Sequence, residues 1–208
     1  MKIVTIILAR SGSKGIPNKN LIKINNKPLI SFSINASVNS KVDETWVSSD
    51  SEEILKVSKK YKAKTIIRPK KYATDYATSE SALLHFASKI NFDILVFLQP
   101  TSPLVKFNDI NKAINMMKKY DSVISVSKIN QFVWTNNKPN YDINNRKRRQ
   151  NNFDSYLETG SIFVTKRKNL LKSKNRISGK IGFLEVPRAR SFDIDTYDDL
   201  NIIKKLIK

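Results

Sequence analysis

An α/β fold with a mostly parallel sheet flanked by helices is what this 208-residue sequence predicts. Three features point there. Short apolar runs alternate with helix-length segments of helical periodicity. The hydrophobic share, 40% of residues, suffices for a real core at this length. The first apolar run breaks abruptly into a glycine- and cation-rich loop, a common ligand site in such sheets. One domain spanning residues 1–208 is expected, with no repeats, low complexity or heptads.

The strand-like runs are residues 3–8, 45–47, 65–67, 94–98 and 123–126, then 161–164 and 181–186 after an interruption. The helical patterns fall at 29–38, where Ile30, Ile34 and Val38 recur one turn apart, and at 51–61, 79–89 and 109–120. A closing helix is expected at 197–207, with Leu200, Ile203, Leu206 and Ile207 on one face and Thr196 as N-cap. Strands alternating with such helices argue βαβ units. Residues 130–156 break the pattern. They are rich in Asn, Lys, Arg and aromatics, and Trp134, Phe153 and Tyr156 argue against a solvated tract.

Composition narrows the chemistry. With no cysteine, disulfides, zinc–thiolate sites and cysteine nucleophiles are excluded. A single histidine, His85, rules out a histidine metal cluster and reads as structural. Any metal must be held by oxygen, which points to Mg2+ (or Mn2+). The net charge of +20, from 38 basic and 18 acidic residues, invites a nucleic-acid reading. The lysines are spread along helices, however, and only Arg146-Lys147-Arg148-Arg149 is a dense cluster. No nucleic-acid partner is expected. The first apolar run lacks a signal-peptide layout and no run is long enough to span a bilayer, so a cytoplasmic protein without a membrane partner is expected.

The loop reads Leu8-Ala9-Arg10-Ser11-Gly12-Ser13-Lys14-Gly15-Ile16-Pro17-Asn18-Lys19-Asn20. Gly12 and Gly15 allow positive φ and close backbone approach. Successive N–H groups can cradle an anion, and Arg10, Lys14 and Lys19 add cations, so a triphosphate is its natural guest. It is not a P-loop, because the glycine spacing differs and no Lys-Ser or Lys-Thr follows. It is not a dinucleotide fingerprint, whose first glycine would fall at Arg10. Further on, Ser191-Phe192-Asp193-Ile194-Asp195 places two carboxylates on one face of an extended segment, with Phe192 and Ile194 expected behind them. Two such charges repel unless a cation lies between them, although a solvated acidic turn before a helix has the same composition.

The full string from Ala9 to Asn20 closely resembles the signature of the nonulosonate (acylneuraminate) cytidylyltransferases, the CMP-sialic acid synthetase family. Val47-Ser48-Ser49-Asp50, Arg68-Pro69, Ala77-Thr78-Ser79, Gln99-Pro100-Thr101-Ser102-Pro103, Gly160-Ser161-Ile162 and Asp193-Ile194-Asp195 follow in the family's order. The resemblance implies a Rossmann-like nucleotidyltransferase fold with residues 130–156 as an inserted dimerisation arm, and hence a homodimer. It implies transfer of CMP from CTP to the anomeric hydroxyl of a nonulosonic acid, with pyrophosphate released. Ala9, Arg10, Gly12, Ser13, Lys14, Lys19, Asn20, Arg68, Ala77 and Ser79 would contact the nucleotide. Gln99, Thr101, Ser102, Arg149 and Thr159 would serve the sugar side, and Asp193 and Asp195 the metal. Arg10, Lys19 and Asp193 would be catalytic. The sugar side departs most: Val105 replaces a common Arg, Thr159 a common Asn, and Trp134 stands where some sialate enzymes place a Lys. A cytidylyltransferase for the eight-carbon sugar Kdo is the nearest rival. A nucleotide-sugar glycosyltransferase would carry its Asp pair mid-chain, and a nucleic-acid-binding protein leaves the loop and the Asp pair unexplained.

Overall fold

The computed structural model describes residues 1–13, 15–146, 148 and 155–207. In chain order the elements are β1 (Ile3–Leu8), β2 (Lys23–Ile24), β3 (Lys27–Pro28), α1 (Leu29–Val38), β4 (Glu44–Ser49), α2 (Glu52–Lys60), β5 (Lys64–Ile67), α3 (Ser79–Lys89) and β6 (Ile94–Leu98). There follow α4 (Phe107–Met116), β7 (Ser122–Ile129), β8 (Trp134–Thr135), β9 (Lys138–Pro139), β10 (Ser155–Lys166), α5 (Arg167–Ser173), β11 (Ile181–Glu185) and α6 (Tyr197–Leu206). The seven-stranded sheet runs β11-β7-β10-β6-β1-β4-β5. All neighbours pair parallel except β10, which is antiparallel to β6 and β7.

A central parallel strand is covered on both faces and must be apolar throughout. β1 obeys this. Ile3 and Ile7 join α1, α2 and α4 in one core, while Val4 and Ile6 join α3 and α5 in another. Edge strand β11 alternates instead, with Gly182 and Leu184 buried and Ile181, Phe183 and Glu185 exposed. A third, smaller cluster gathers Ile16 from the loop, Ile24, Leu29 from α1, Ile194, and Leu200 and Ile203 from α6.

Several boundaries differ from the sequence reading. β10 begins at Ser155 rather than 161, because it pairs with β7 through a register shift between Glu158 and Phe163 that periodicity does not reveal. α4 starts two residues before the expected 109 and ends at Met116. α3 spans the expected 79–89 and is capped by Thr78, whose hydroxyl accepts from the Ser81 N–H at 3.2 Å. Two hairpins and the short helix α5 were not expected. Both hairpins, β2–β3 and β8–β9, turn through Asn-Asn pairs with positive φ, Asn25-Asn26 and Asn136-Asn137. Two consecutive positive-φ residues are what a type I′ turn needs, and Asn tolerates them. The second hairpin lies in the expected arm. There Phe132 and Trp134 pack against Tyr141, and the Arg146 guanidinium sits 4.2 Å from the Phe132 ring centre.

At the start of β4, Glu44 accepts hydrogen bonds from Lys64 Nζ (2.7 Å) and Trp46 Nε1 (2.8 Å), and Lys2 lies 3.3 Å away. Lys64, Trp46 and Lys2 outweigh burial and hold the carboxyl at about 2, down from 4.5. A carboxyl lowered on folding stabilises the native state above its unfolded pKa and loses that contribution as pH falls through its folded one. Glu44→Gln should therefore flatten the decline of urea-unfolding stability between about pH 4.5 and 2. Parallel wild-type and variant curves across that window would refute the assignment.

Candidate active site

A cleft of about 570 Å3 opens at the carboxyl ends of β1 and β6. From β1 the chain proceeds outward to β4 and β5 on one side, while β6 lies on the other. This is a topological switch point, where open α/β sheets bind ligands. A larger hollow of about 760 Å3 lies at the opposite end, walled by Phe92, Ile94, Met117 and Arg167 among others. It sits at the amino ends of β1 and β6. Two of its cations are already engaged, Lys166 with Asp121 at 2.8 Å and Arg167 with the Ala87 carbonyl at 3.0 Å.

The cleft brings together Arg10, Ser13, Gly15, Lys19, Asn20, Gln99, Thr101, Asp193 and Asp195. The loop that bears the first five is fixed from several sides. Ala9 is buried and donates its N–H to the Ser48 carbonyl at 3.0 Å. Ser11 donates to Asp50 through its N–H (2.9 Å) and its hydroxyl (2.6 Å). Ile16 is fully buried. Asn20 donates from Nδ2 to the Arg10 carbonyl at 3.0 Å, and its Oδ1 is buried without a partner. Gly12 and Gly15, which allow positive φ, are not among the positive-φ glycines; of the loop's described residues Asn18 is left-handed, with φ of 51°. Gly15 is needed for close approach instead, since a Cβ there would lie 2.4 Å from the Asp195 carbonyl oxygen.

The two carboxylates flank fully buried Ile194, so Asp193 and Asp195 share a face although the segment forms no strand. Phe192 is partly exposed and does not pack behind them. Ile194 N–H donates to the Thr101 carbonyl (3.0 Å), and Ser102 Oγ donates to Asp193 (3.2 Å). Lys19 Nζ donates to the Ile194 carbonyl (2.7 Å) and to Asp195 (2.9 Å). Burial raises the Asp193 pKa, and repulsion from Asp195 adds to this against the pull of Thr101, Ser102 and Lys19. Such a pair suits a divalent cation. No group of three or more potential metal-binding side chains occurs among the described residues. A hard cation held by one or two carboxylates and completed by substrate phosphates is the usual arrangement for magnesium.

Arg68 is 5% exposed, donates from Nε to Ser48 Oγ at 3.1 Å and from its terminal nitrogen to the Ser48 carbonyl. Burial lowers its pKa to about 10 despite Asp50, and Arg10 contributes in the same direction. Burial opposes ionisation of Asp50, but Ser11 and Arg68 together hold its carboxyl below the usual range. Arg10 itself donates to Asp75 at 2.5 Å, tying the loop after β1 to the chain between β5 and α3. That connection bears Arg68 and Ala77, which with Ser79, the first residue of α3, lie outside the cleft's lining. Ser102 is buried behind Asp193. Thr159 is also buried, its hydroxyl bonded to Ser125 (2.7 Å) and Ser161 (2.9 Å). His85 stacks near Tyr72 at 5.3 Å, and burial lowers its pKa. Lys14 and Arg149 lie outside the described residues. Asp50 and Asp75 received no role from the sequence, because what recruits them is long-range pairing.

A cationic loop and a carboxylate pair at the switch point of such a sheet define a nucleotidyltransferase-type site. The chain belongs to the cytidylyltransferase family, whose model, "Cytidylyltransferase", matches residues 4–207. It is 32% identical over 214 residues to N-acylneuraminate cytidylyltransferase B of Danio rerio, covering 97% of this chain and 50% of that protein. It is 32% identical over 226 residues to pseudaminic acid cytidylyltransferase of Campylobacter jejuni, covering 100% of this chain and 97% of that one. The chain thus spans about half the length of the first of these relatives and nearly all of the second. In fold it is similar to a CMP:2-keto-3-deoxy-manno-octonic acid synthetase complexed with CTP, with TM-score 0.79, 19% identity, and coverage of 100% of this chain and 98% of that one. Among the described residues no helix is long and apolar enough to cross a membrane.

Gly15→Ala should cost about 1–3 kcal/mol of stability, the usual range for overpacking. It should weaken nucleotide binding as well, because the loop must move off Asp195. Urea unfolding and CTP titration would measure both effects, and unchanged values would show that the contact yields freely.

Proposed function

We propose that this protein transfers CMP from CTP to the anomeric hydroxyl of a nonulosonic acid, with magnesium or manganese. The observation that carries the reading is the gathering of Arg10, Lys19 and Asn20 with Asp193 and Asp195 in one cleft at the switch point. Membership of the cytidylyltransferase family supports the cytosine nucleotide. The names of the relatives, N-acylneuraminate and pseudaminic acid enzymes, support a nonulosonic acid as acceptor.

In this reading the acceptor hydroxyl gives its proton to water, its oxygen forms a bond to the α-phosphorus, and the bond to the β-phosphate bridge breaks, releasing pyrophosphate. The protein's contribution is orientation and charge stabilisation. Arg10 and Lys19 neutralise the phosphates, with Lys14 as a further phosphate cation. Arg10 exchanges Asp75 for phosphate oxygen. Backbone of the loop at Ala9, Gly12 and Ser13 lies along the nucleotide. Asn20 Oδ1, buried and unpartnered, is an acceptor suited to a ribose hydroxyl. Arg68, Ala77 and Ser79 form the base-recognising side. Gln99, Thr101 and Ser102 border the acceptor, and Thr159 shapes that side through its hydroxyl cluster. Asp193 and Asp195 would hold the divalent cation, which when bound supplies positive charge at the α-phosphate. Residues 130–156 serve as a dimerisation arm through which Arg149 reaches the partner's sugar. The enzyme works in the cytoplasm.

Pyrophosphate release with magnesium and CTP, against a panel of nonulosonic acids plus Kdo and with ATP, GTP and UTP as controls, tests this. Release with CTP and one nonulosonic acid is expected; release with Kdo alone would shift the acceptor class, and absence of CTP binding would overturn the reading. Arg10→Ala should lower turnover about a hundred- to a thousandfold, as loss of a preorganised charge stabiliser does. Near-normal turnover would remove Arg10 from its role. Light scattering should show a dimer, and a monomer would refute the arm's assignment.

A further inference from the structure

Between β11 and α6 the chain runs without regular structure apart from one 3-10 turn at Arg188–Arg190, yet it must place Asp193 to within a fraction of an ångström. Hydrogen bonds link Asp193, Ile194 and Asp195 to Lys19, Thr101 and Ser102, the Asp195 N–H donates to Asp199 at 3.1 Å, and Ile194 is buried in its cluster. Lys19 and Thr101 line the cleft and Ser102 bonds Asp193 itself. On the side of Asp193 that leads back to β11, a further attachment lies outside the cleft. The Arg190 guanidinium donates from both terminal nitrogens to the two carboxylate oxygens of Asp109, the second bond at 3.1 Å. Asp109 is 5% exposed and stands in the first turn of α4. Its Oδ2 also accepts from the Lys106 N–H at 3.3 Å, closing the N-terminus of that helix.

We infer that the Arg190–Asp109 pair is a positioning strut for Asp193, a role that rests on the proposed function of Asp193. One buried carboxylate is shared by the two segments that must stay in register. Through Arg190 it anchors the chain three residues before Asp193. Through Lys106 it anchors the helix that follows the Gln99-Pro100-Thr101-Ser102-Pro103 turn. A fork with two parallel bonds fixes direction as well as distance, which a lysine's point charge does not. Neither Arg190 nor Asp109 touches the cleft, so neither is a catalytic residue.

Two variants test this. Arg190→Lys keeps the charge and loses the fork. Arg190→Met combined with Asp109→Asn removes both charges, avoids a lone buried ion and keeps an acceptor for the Lys106 N–H. CTP affinity is measured by calorimetry across a magnesium series, and kcat and KM alongside. In both variants the magnesium concentration giving half of the affinity gain should rise about tenfold, and kcat should fall about ten- to a hundredfold, the scale of an ångström-sized misplacement. KM for the sugar and CTP affinity without magnesium should stay near wild type. A folded variant with wild-type magnesium dependence and turnover overturns the strut, as does an equal loss of CTP affinity with and without magnesium. If wild-type protein itself gains no CTP affinity from magnesium, the role of Asp193 falls and the inference with it.

Discussion

The loop after β1 contains no strand or α-helix among its described residues; it is held by packing against a segment some 180 residues away. Gly15 lies under the Asp195 carbonyl, closer than any side chain permits. The next residue, Ile16, joins Ile194 in a small cluster walled off from the two main cores. Lys19 then crosses the seam to the Ile194 carbonyl and the Asp195 carboxylate. A missing Cβ, a buried isoleucine pair and one cation thus set the distance between cationic loop and carboxylate pair. The sheet supplies the platform, and this seam supplies the spacing.

Much of the platform is legible in the sequence. β1 and β6 match their apolar runs residue for residue, because strands covered on both faces cannot hide their hydrophobicity. α1 and α3 match as well: α3 buries one stripe of Ala82, Leu83, Phe86 and Ala87, and in α1 buried Ile30 and Ile34 recur one turn apart. The rest escaped for physical reasons. α5 buries only Leu170, so no stripe announces it. The first half of β10 reads as polar because Glu158, Thr159 and Gly160 sit at its bulge. The hairpins did leave a signal, two Asn-Asn pairs, which periodicity does not weigh.

At the site, the loop, the Gln99 turn and the Asp pair were visible as local strings, and the structure brings them to one cleft. The electrostatic partners were not. Asp50 beneath Ser11, Asp75 against Arg10 and Ser48 under Arg68 are each recruited across tens of residues. Nothing in the immediate neighbourhood of an aspartate says which cation will find it. The same holds for Thr159, whose local setting suggests a surface turn but whose hydroxyl lies in a buried cluster.

The seam between Gly15 and Asp195 has a bearing on how the molecule comes into being. A chain emerging from the ribosome presents the loop long before the counterpart carboxylates. Until the stretch around residue 194 has been synthesised, Ile16 has no Ile194 to pack against and Lys19 no carbonyl to grip. Contacts of such sequence separation are late and slow to form. The parallel strands can pair earlier, so a nascent chain would own most of its sheet while the loop around Gly15 stayed unset. The cleft between loop and carboxylates would then take shape only after residue 195 has emerged, as the sign that two distant segments have met.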